Sequence, residues 1–288
     1  MTSRATHPAG AATGLHLIAD ASLSPSVLEQ AAPRLARAGL PLVQGAGSGR
    51  GARARELVLF DGRLEPSHAA LLEKDPPALL LATREPGGTH SAWELKVLNA
   101  LLRGQPLLPQ GVPVAKLWLE HVSDFKVASS EATALVETAK GSRNAASLAA
   151  DVMHELAANA LLDAPVDASG TPFYAHRRES IQAVAPEHVC QVSMAVGEGG
   201  IYLEAVDLFG RLPPGPIARA VSSLGGRAQV NASGGGAGLG MRRILEHCDL
   251  IAVRVVPGKE TRMLGVVGLG EGRRRAALPK SLLYFKTE

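Results

Sequence analysis

The sequence predicts an α/β protein in two segments: a helix-covered, mainly parallel sheet over residues 14–112, and an α+β segment of helices and hairpin-like strands over residues 123–270. Three observations support that division. Short apolar runs alternate with helix-like stretches through the N-terminal segment, the pattern of strands joined by crossover helices. In the C-terminal segment a single long helical pattern is followed by a hairpin pattern and two further strand patterns. The chain of 288 residues is 46% apolar, enough for roughly two domains of about 100–200 residues, each with its own core.

Taken in order, residues 1–13 read as a flexible tail and Leu15–Ala19 as the first strand. Ser24 is placed to cap a helix with Pro25 at its first position, and Gly39 to close it. Residues 57–60 and 78–82 read as buried strands. Ser91-x-x-Glu94 has the form of a capping box in front of Trp93, Val97 and Leu101 at helical spacing. Gly45, Gly47, Gly49 and Gly51 alternate after an apolar run, but the third-glycine spacing of a dinucleotide loop fails, so they read as a flexible connection. Residues 113–122 read as a linker and residues 271–288 as a C-terminal extension.

Composition excludes several functions. The 30 basic and 27 acidic residues leave a net charge of +3, too little to draw nucleic acid or an anionic membrane from a distance. Aromatics make up 3% of the chain, leaving few stacking platforms for single strands, so the arginine clusters near residues 50–55 and 273–275 read as solvated surface. Cys190 and Cys248 form no C-x-x-C pair and suit a reducing compartment. No secretory pattern opens the chain, and no run approaches the ~18 apolar residues that span a bilayer. A cytoplasmic protein is expected, without nucleic-acid or membrane partners.

In the C-terminal segment, residues 144–162 are strong helix formers, and Leu148, Val152, Glu155 and Asn159 fall on one face. A Glu and an Asn on an apolar stripe need partners, which leaves an internal hydrogen-bond network or a bound ligand open. Residues 189–196 and 201–206, around the turn Glu198-Gly199-Gly200, read as a hairpin ending at Asp207. A short helix is expected over 214–222, then a small, polar stretch over 224–233 with the composition of a mobile lid. Gly234, Gly235, Gly236, Gly238 and Gly240 then lead into a helix from Met241. Such a loop offers bare backbone N–H groups and a positive helix end to phosphate, the other reading being a plain flexible lid. It has neither the Walker nor the dinucleotide spacing. Leu250–Val256 reads as a strand, Pro257-Gly258 as a turn, and Thr261 opens the last strand.

In this order, an acid-and-asparagine helix, an Asp after a hairpin, a glycine-rich lid and a threonine-bearing strand, residues 123–270 resemble the GHKL (histidine-kinase-like, Bergerat-fold) ATPases. In style they are closest to the anti-sigma-factor serine kinases. The resemblance implies an α+β two-layer sandwich of Bergerat type that binds ATP and Mg²⁺. It implies that Glu155 is catalytic and polarises the attacking hydroxyl or water, and that Asn159 gives a neutral oxygen to Mg²⁺. It further implies that Asp207 accepts a hydrogen bond from the adenine amino group with support from Thr261. Gly210, Gly234, Gly235, Gly236, Gly238, Leu239 and Gly240 would border the nucleotide. The triphosphate already brings negative charge, so an Mg²⁺ held by one or two protein oxygens is chemically sensible.

Two departures accompany the resemblance. Phe209 and Arg211 stand at the glycine positions of the family's Asp-x-Gly-x-Gly box, with Gly210 between them. Leu162 and Asp163 occupy places where the family often has a phosphate-facing Lys, His or Tyr; Arg177 or Arg178, in an insertion over residues 165–186, is the expected replacement. The first 110 or so residues resemble a response-regulator receiver domain, with Asp20, Asp61 and Thr83 after successive strands. A receiver's acidic pair and its fifth-strand lysine are missing, so this domain is expected to be degenerate, with Asp61-Gly62 a strand-end turn.

His154-Glu155-Leu156 looks like a histidine-kinase phosphoacceptor box, but only the hairpin intervenes before Asp207, leaving no room for a separate asparagine helix. The zinc-protease H-E-x-x-H also fails, at Ala158. The expected function is that of a bacterial regulatory protein that binds Mg-ATP and transfers its γ-phosphoryl group to a partner protein. The alternative is an ATP-binding interaction module with little or no turnover. A homodimer is allowed by the sequence and not specified by it.

Overall fold

The structure is a computed structural model that describes residues 14–43, 54–84, 90–224, 237–270 and 279–287. It is an α/β fold built on one mixed sheet. The strands are β1 (Leu15–Ala19), β2 (Arg55–Phe60), β3 (Leu79–Ala82), β4 (Ala115–Leu119), β5 (Cys190–Gly197), β6 (Gly200–Asp207), β7 (Leu250–Val256), β8 (Glu260–Val267) and β9 (Ser281–Lys286). Their order across the nine-stranded sheet is β1-β2-β3-β9-β7-β8-β6-β5-β4. The first three are parallel, as their alternation with helices predicts. From β7 through β8, β6 and β5 to β4 every pairing is antiparallel.

Strand β9 joins the two halves. It pairs antiparallel with β3 at Leu80–Leu282 and parallel with β7 from Leu250–Ser281 to Val255–Lys286. The segment 271–288, expected as an extension, therefore supplies a central strand. Residues 113–122, expected as a linker, hold β4, which pairs with β5 at the sheet edge. Periodicity marks a strand but carries no information on which distant strand it meets, and a five-residue edge strand with Lys116 in it is a weak signal.

Helices α1 (Val27–Arg37) and α3 (Ala92–Leu102) lie on one face, and α2 (Pro66–Leu72), α4 (Asp124–Thr138), α5 (Arg143–Ala158), α6 (Gly215–Ser222) and α7 (Ala237–His247) on the other. The strands divide between them with a period of two. Val58, Phe60, Leu282 and Tyr284 face the second layer, while Leu57, Leu59, Leu283 and Phe285 face the first. Burial on both faces explains why these strands read as continuous apolar runs. Ala69 and Leu72 of α2 share a core with Ile217 and Val221 of α6, so apolar packing also crosses the two sequence segments.

Local details correct the sequence reading in places. α1 starts at Val27, not at Pro25. Ser91 precedes α3, but its side chain makes no capping bond. Glu94 is fully buried and turns inward, with Arg84 Nε 2.8 Å from its Oε2 and the Ser281 hydroxyl donating to its Oε1 at 2.5 Å. A buried carboxylate needs strong donors, and those offered by Arg84 and β9 replace the cap. α5 is capped as a helix should be, Ser142 Oγ accepting from the Ala145 amide. It runs regularly to Ala158, then widens into a π turn over Asn159–Asp163, where the Ala164 amide donates to the Asn159 carbonyl at 2.9 Å. Such turns concentrate at functional sites. Among the described residues no helix is long and apolar enough to cross a membrane.

Candidate functional site

A cavity of about 260 Å³ opens between the π turn, the C-terminal end of β6, the start of β8, the loop after β6 and α7. Asn159, Asp163, Asp207, Arg211, Met241 and Thr261 contribute to its lining, and Leu156, Ala205 and Met263 give it an apolar wall. Asn159, Asp207 and Thr261, which come from well-separated stretches of sequence, are thus brought together. For two of them the register suffices: Asp207 ends β6 and lies directly opposite Thr261 on β8, and opposed residues project from the same face of a sheet.

Asp207 is 6% exposed. Its Oδ1 accepts the amide N–H groups of Phe209 at 2.8 Å and Gly210 at 3.2 Å, fixing the turn that follows the strand. Burial raises its carboxyl above the ordinary aspartate range, against the opposing effect of those amides and of Thr261. The Thr261 hydroxyl lies within electrostatic reach of that carboxylate but outside strict hydrogen-bond geometry to any described residue. Asn159 Nδ2 is also buried without a partner. Buried polar atoms are normally satisfied, so two incompletely satisfied ones on one cavity mark a place for a polar ligand.

Glu155 sits one turn before Asn159, partly buried; it does not line the cavity but lies beside it, against Gly240 of α7, whose next residue Met241 does line it. Its Oε1 accepts from Arg243 Nη1 at 2.8 Å. A Cβ built on Gly240 would lie 2.4 Å from Glu155 Oε2 and 3.9 Å from Asn159 Oδ1, so glycine lets the carboxylate lie against α7 where a methyl would push its flexible end aside. Gly238 and Leu239 lie in the first turn of α7, with Leu239 exposed. Gly234, Gly235 and Gly236 fall outside the described residues. Gly210 faces away from the cavity: at φ +61°, a Cβ there would meet the Val256 carbonyl at 2.0 Å. Its role is to fit the β7–β8 turn and to donate its amide to Asp207.

Asp163, at the end of the π turn, stands out in the sequence only as the place of a missing cation. It lines the cavity, and burial raises its carboxyl, opposed by Arg178 and reinforced by Glu155. Arg178 grips both its oxygens, Nε donating to Oδ1 at 3.0 Å and Nη2 to Oδ2. Of the two arginines expected to replace the lost charge, Arg178 is therefore held at the cavity, while Arg177 Nε turns to the Phe173 carbonyl at 3.3 Å. Arg211 lines the cavity, whereas Phe209 lies 5.5 Å from the His188 ring in a cluster with Phe173 and Tyr174. Helical spacing is the signal that could have flagged Asp163, four residues beyond Asn159, and Arg243, three beyond Gly240.

In the N-terminal segment, Asp20 and Asp61 close local turns on the Ser22 and Arg63 amides, and Thr83 Oγ1 donates to the Phe60 carbonyl. These are strand-end roles. No protein-family model and no curated protein matches the chain, so a functional reading rests on the cavity itself.

Proposed function

We propose that this chain is a cytoplasmic bacterial regulatory protein that binds Mg-ATP in the α5–β6–β8–α7 cavity and passes the γ-phosphoryl group to a partner protein. The observation that carries this reading is the convergence of Asn159, Asp207 and Thr261 on one cavity, with Glu155 against Gly240 beside it. In this reading strands β4 to β8 with α4, α5 and α7 form a Bergerat-type GHKL sandwich, and the first three strands belong to a degenerate receiver-like unit.

The residues suit the ligand. Asp207 Oδ1 is committed to the turn, leaving Oδ2 to accept from the adenine amino group, while Leu156, Ala205 and Met263 offer apolar contact to the ring. The amide of Asn159 gives Oδ1 to Mg²⁺ and its unpaired Nδ2–H to a phosphate oxygen. When bound, Mg²⁺ neutralises charge on the terminal phosphates. Arg211 supplies positive charge beside them, while Arg178 offsets the Asp163 carboxylate that would otherwise repel them. Glu155 holds and polarises the acceptor hydroxyl once Arg243 releases it.

One observation favours a second reading, a nucleotide-responsive module without turnover: the Arg243 guanidinium occupies a Glu155 oxygen. Radiolabelled ATP with the purified chain and candidate partner proteins, beside a direct nucleotide titration, separates the two. Label transfer supports the kinase, binding alone supports the module, and no binding at millimolar Mg-ATP eliminates both.

A further inference from the structure

Helix α7 bounds the cavity with one end and is held by the N-terminal strands at the other. In its first turn Gly240 lies against Glu155, and Met241 lines the cavity. Near its C-terminal end the Lys280 ammonium donates to the Glu246 carbonyl at 2.9 Å and to the Cys248 carbonyl at 2.8 Å. Arg84, just after β3, donates from Nη2 to the Asp249 carbonyl and from Nη1 to that of Pro279, while its Nε faces Glu94 of α3. Lys280 is itself fixed to the end of β2, its amide donating to the Gly62 carbonyl at 2.8 Å. At Gly62, where φ is +86°, a Cβ would meet Pro279 Cβ at 2.4 Å, so the turn and the clamp are packed without slack.

Lys280 is 3% exposed, and lysine is seldom buried to that degree because desolvating its charge is costly. The partial negative charge at a helix C-terminus offsets part of that cost. A glycine or a solvated lysine would end the helix as well, so the burial does more than cap: it fixes α7 along its axis. We propose that Lys280 and Arg84 are positioning residues for the nucleotide site, through which the N-terminal strands set where α7 presents Gly240 and its first-turn amides to Glu155 and Asn159. This rests on the Mg-ATP reading of the cavity. About 9 Å of helix separates Glu246 from Gly240, and a helix whose hydrogen bonds run along its axis carries a displacement over that length with little loss. Linkage makes the effect reciprocal, so a nucleotide that engages the first turn of α7 tightens the clamp at the other end. The N-terminal strands thereby gain a part in the site that needs none of the residues a receiver would require.

The test uses the full chain with Mg²⁺ and the non-hydrolysable analogue AMP-PNP. Lys280→Met keeps the stem and removes the donors. It should retain the parent's circular dichroism spectrum and bind the analogue roughly tenfold more weakly or worse, the scale of one misplaced amide on a charged oxygen. Lys74→Met removes a half-exposed lysine paired with Glu56 and should leave affinity unchanged. In the parent, hydrogen exchange should slow on analogue binding at residues 246–249 and 280–282, and not in β1 at the far sheet edge. A parent that binds no analogue overturns the nucleotide reading and this proposal with it. Binding with protection confined to the cavity, or a folded Lys280→Met that loses stability but keeps the parent's affinity, overturns the clamp alone. Should Lys280→Met fail to fold, the exchange pattern of the parent decides.

Discussion

Replacing Asp207 by asparagine separates its two duties. Oδ1 is committed to the Phe209 and Gly210 amides, and an asparagine carbonyl can accept both. The other oxygen becomes an NH₂ group, which meets the adenine amino group donor to donor. An unpaired buried donor costs about 1–3 kcal/mol, so ATP affinity should fall roughly 5- to 150-fold. Stability should move the other way at neutral pH, because burial holds the Asp207 carboxyl above its ordinary value of 3.8. A carboxyl raised in the folded state adds stability that is full below its unfolded pKa and is lost as pH rises through the folded one. Relative to the parent, Asp207→Asn should therefore gain stability at neutral pH and give that gain up as pH falls toward 3.8. Asp207→Ala leaves two amides without their acceptor and should cost about 1–3 kcal/mol of stability as well as affinity. Calorimetric titration with Mg-ATP and thermal melts across pH read all three quantities. Parent-like affinity in Asp207→Asn refutes the assignment of adenine to this carboxylate.

The remaining expectations concern the other end of the cavity and the β9 junction. Glu155→Gln should keep ATP affinity within a few-fold and cut label transfer by about 10²–10⁴; an equal loss in both removes Glu155 from a catalytic role. Gly240→Ala forces a methyl to within 2.4 Å of Glu155 Oε2, and the displaced carboxylate should cost on the order of 100-fold in transfer, read by single-turnover kinetics. Arg178→Ala strips the Asp163 carboxylate of its fork and should weaken both melting stability and ATP binding, whereas Arg177→Ala should change neither. Arg84→Ala leaves Glu94 charged and buried beside β9 and should lower stability by about 3–5 kcal/mol in a denaturant titration; Arg84→Met with Glu94→Leu should lower it less.

Much of this was legible in the sequence because the informative patterns are local. Leu15–Ala19 and Leu250–Val256 occur as strands within the bounds read from the sequence, and Asp207 and Thr261 follow from a hairpin and a turn. The helix stripe puts Glu155 and Asn159 on one side, and Asp163 continues it at the same spacing, but the widening of the helix into a π turn there leaves no mark in the sequence. Non-local features escape such a reading. Glu94 has the spacing of a capping residue, and only the arrival of Arg84 and Ser281 assigns it to the core. β9 lies in residues read from the sequence as a C-terminal extension, and only its pairing with β3 and β7 makes it a central strand. Arg177 and Arg178 are adjacent and equivalent in the sequence, and only the fold gives the fork on Asp163 to Arg178.

A crystal structure of the chain soaked with Mg²⁺ and a non-hydrolysable ATP analogue tests the central claim most directly. The account requires the base between Met263 and Leu156 with its amino group on Asp207, the metal on Asn159, and the terminal phosphate toward Glu155 and Gly240. A nucleotide bound with none of these contacts, or an empty cavity at saturating analogue, contradicts it.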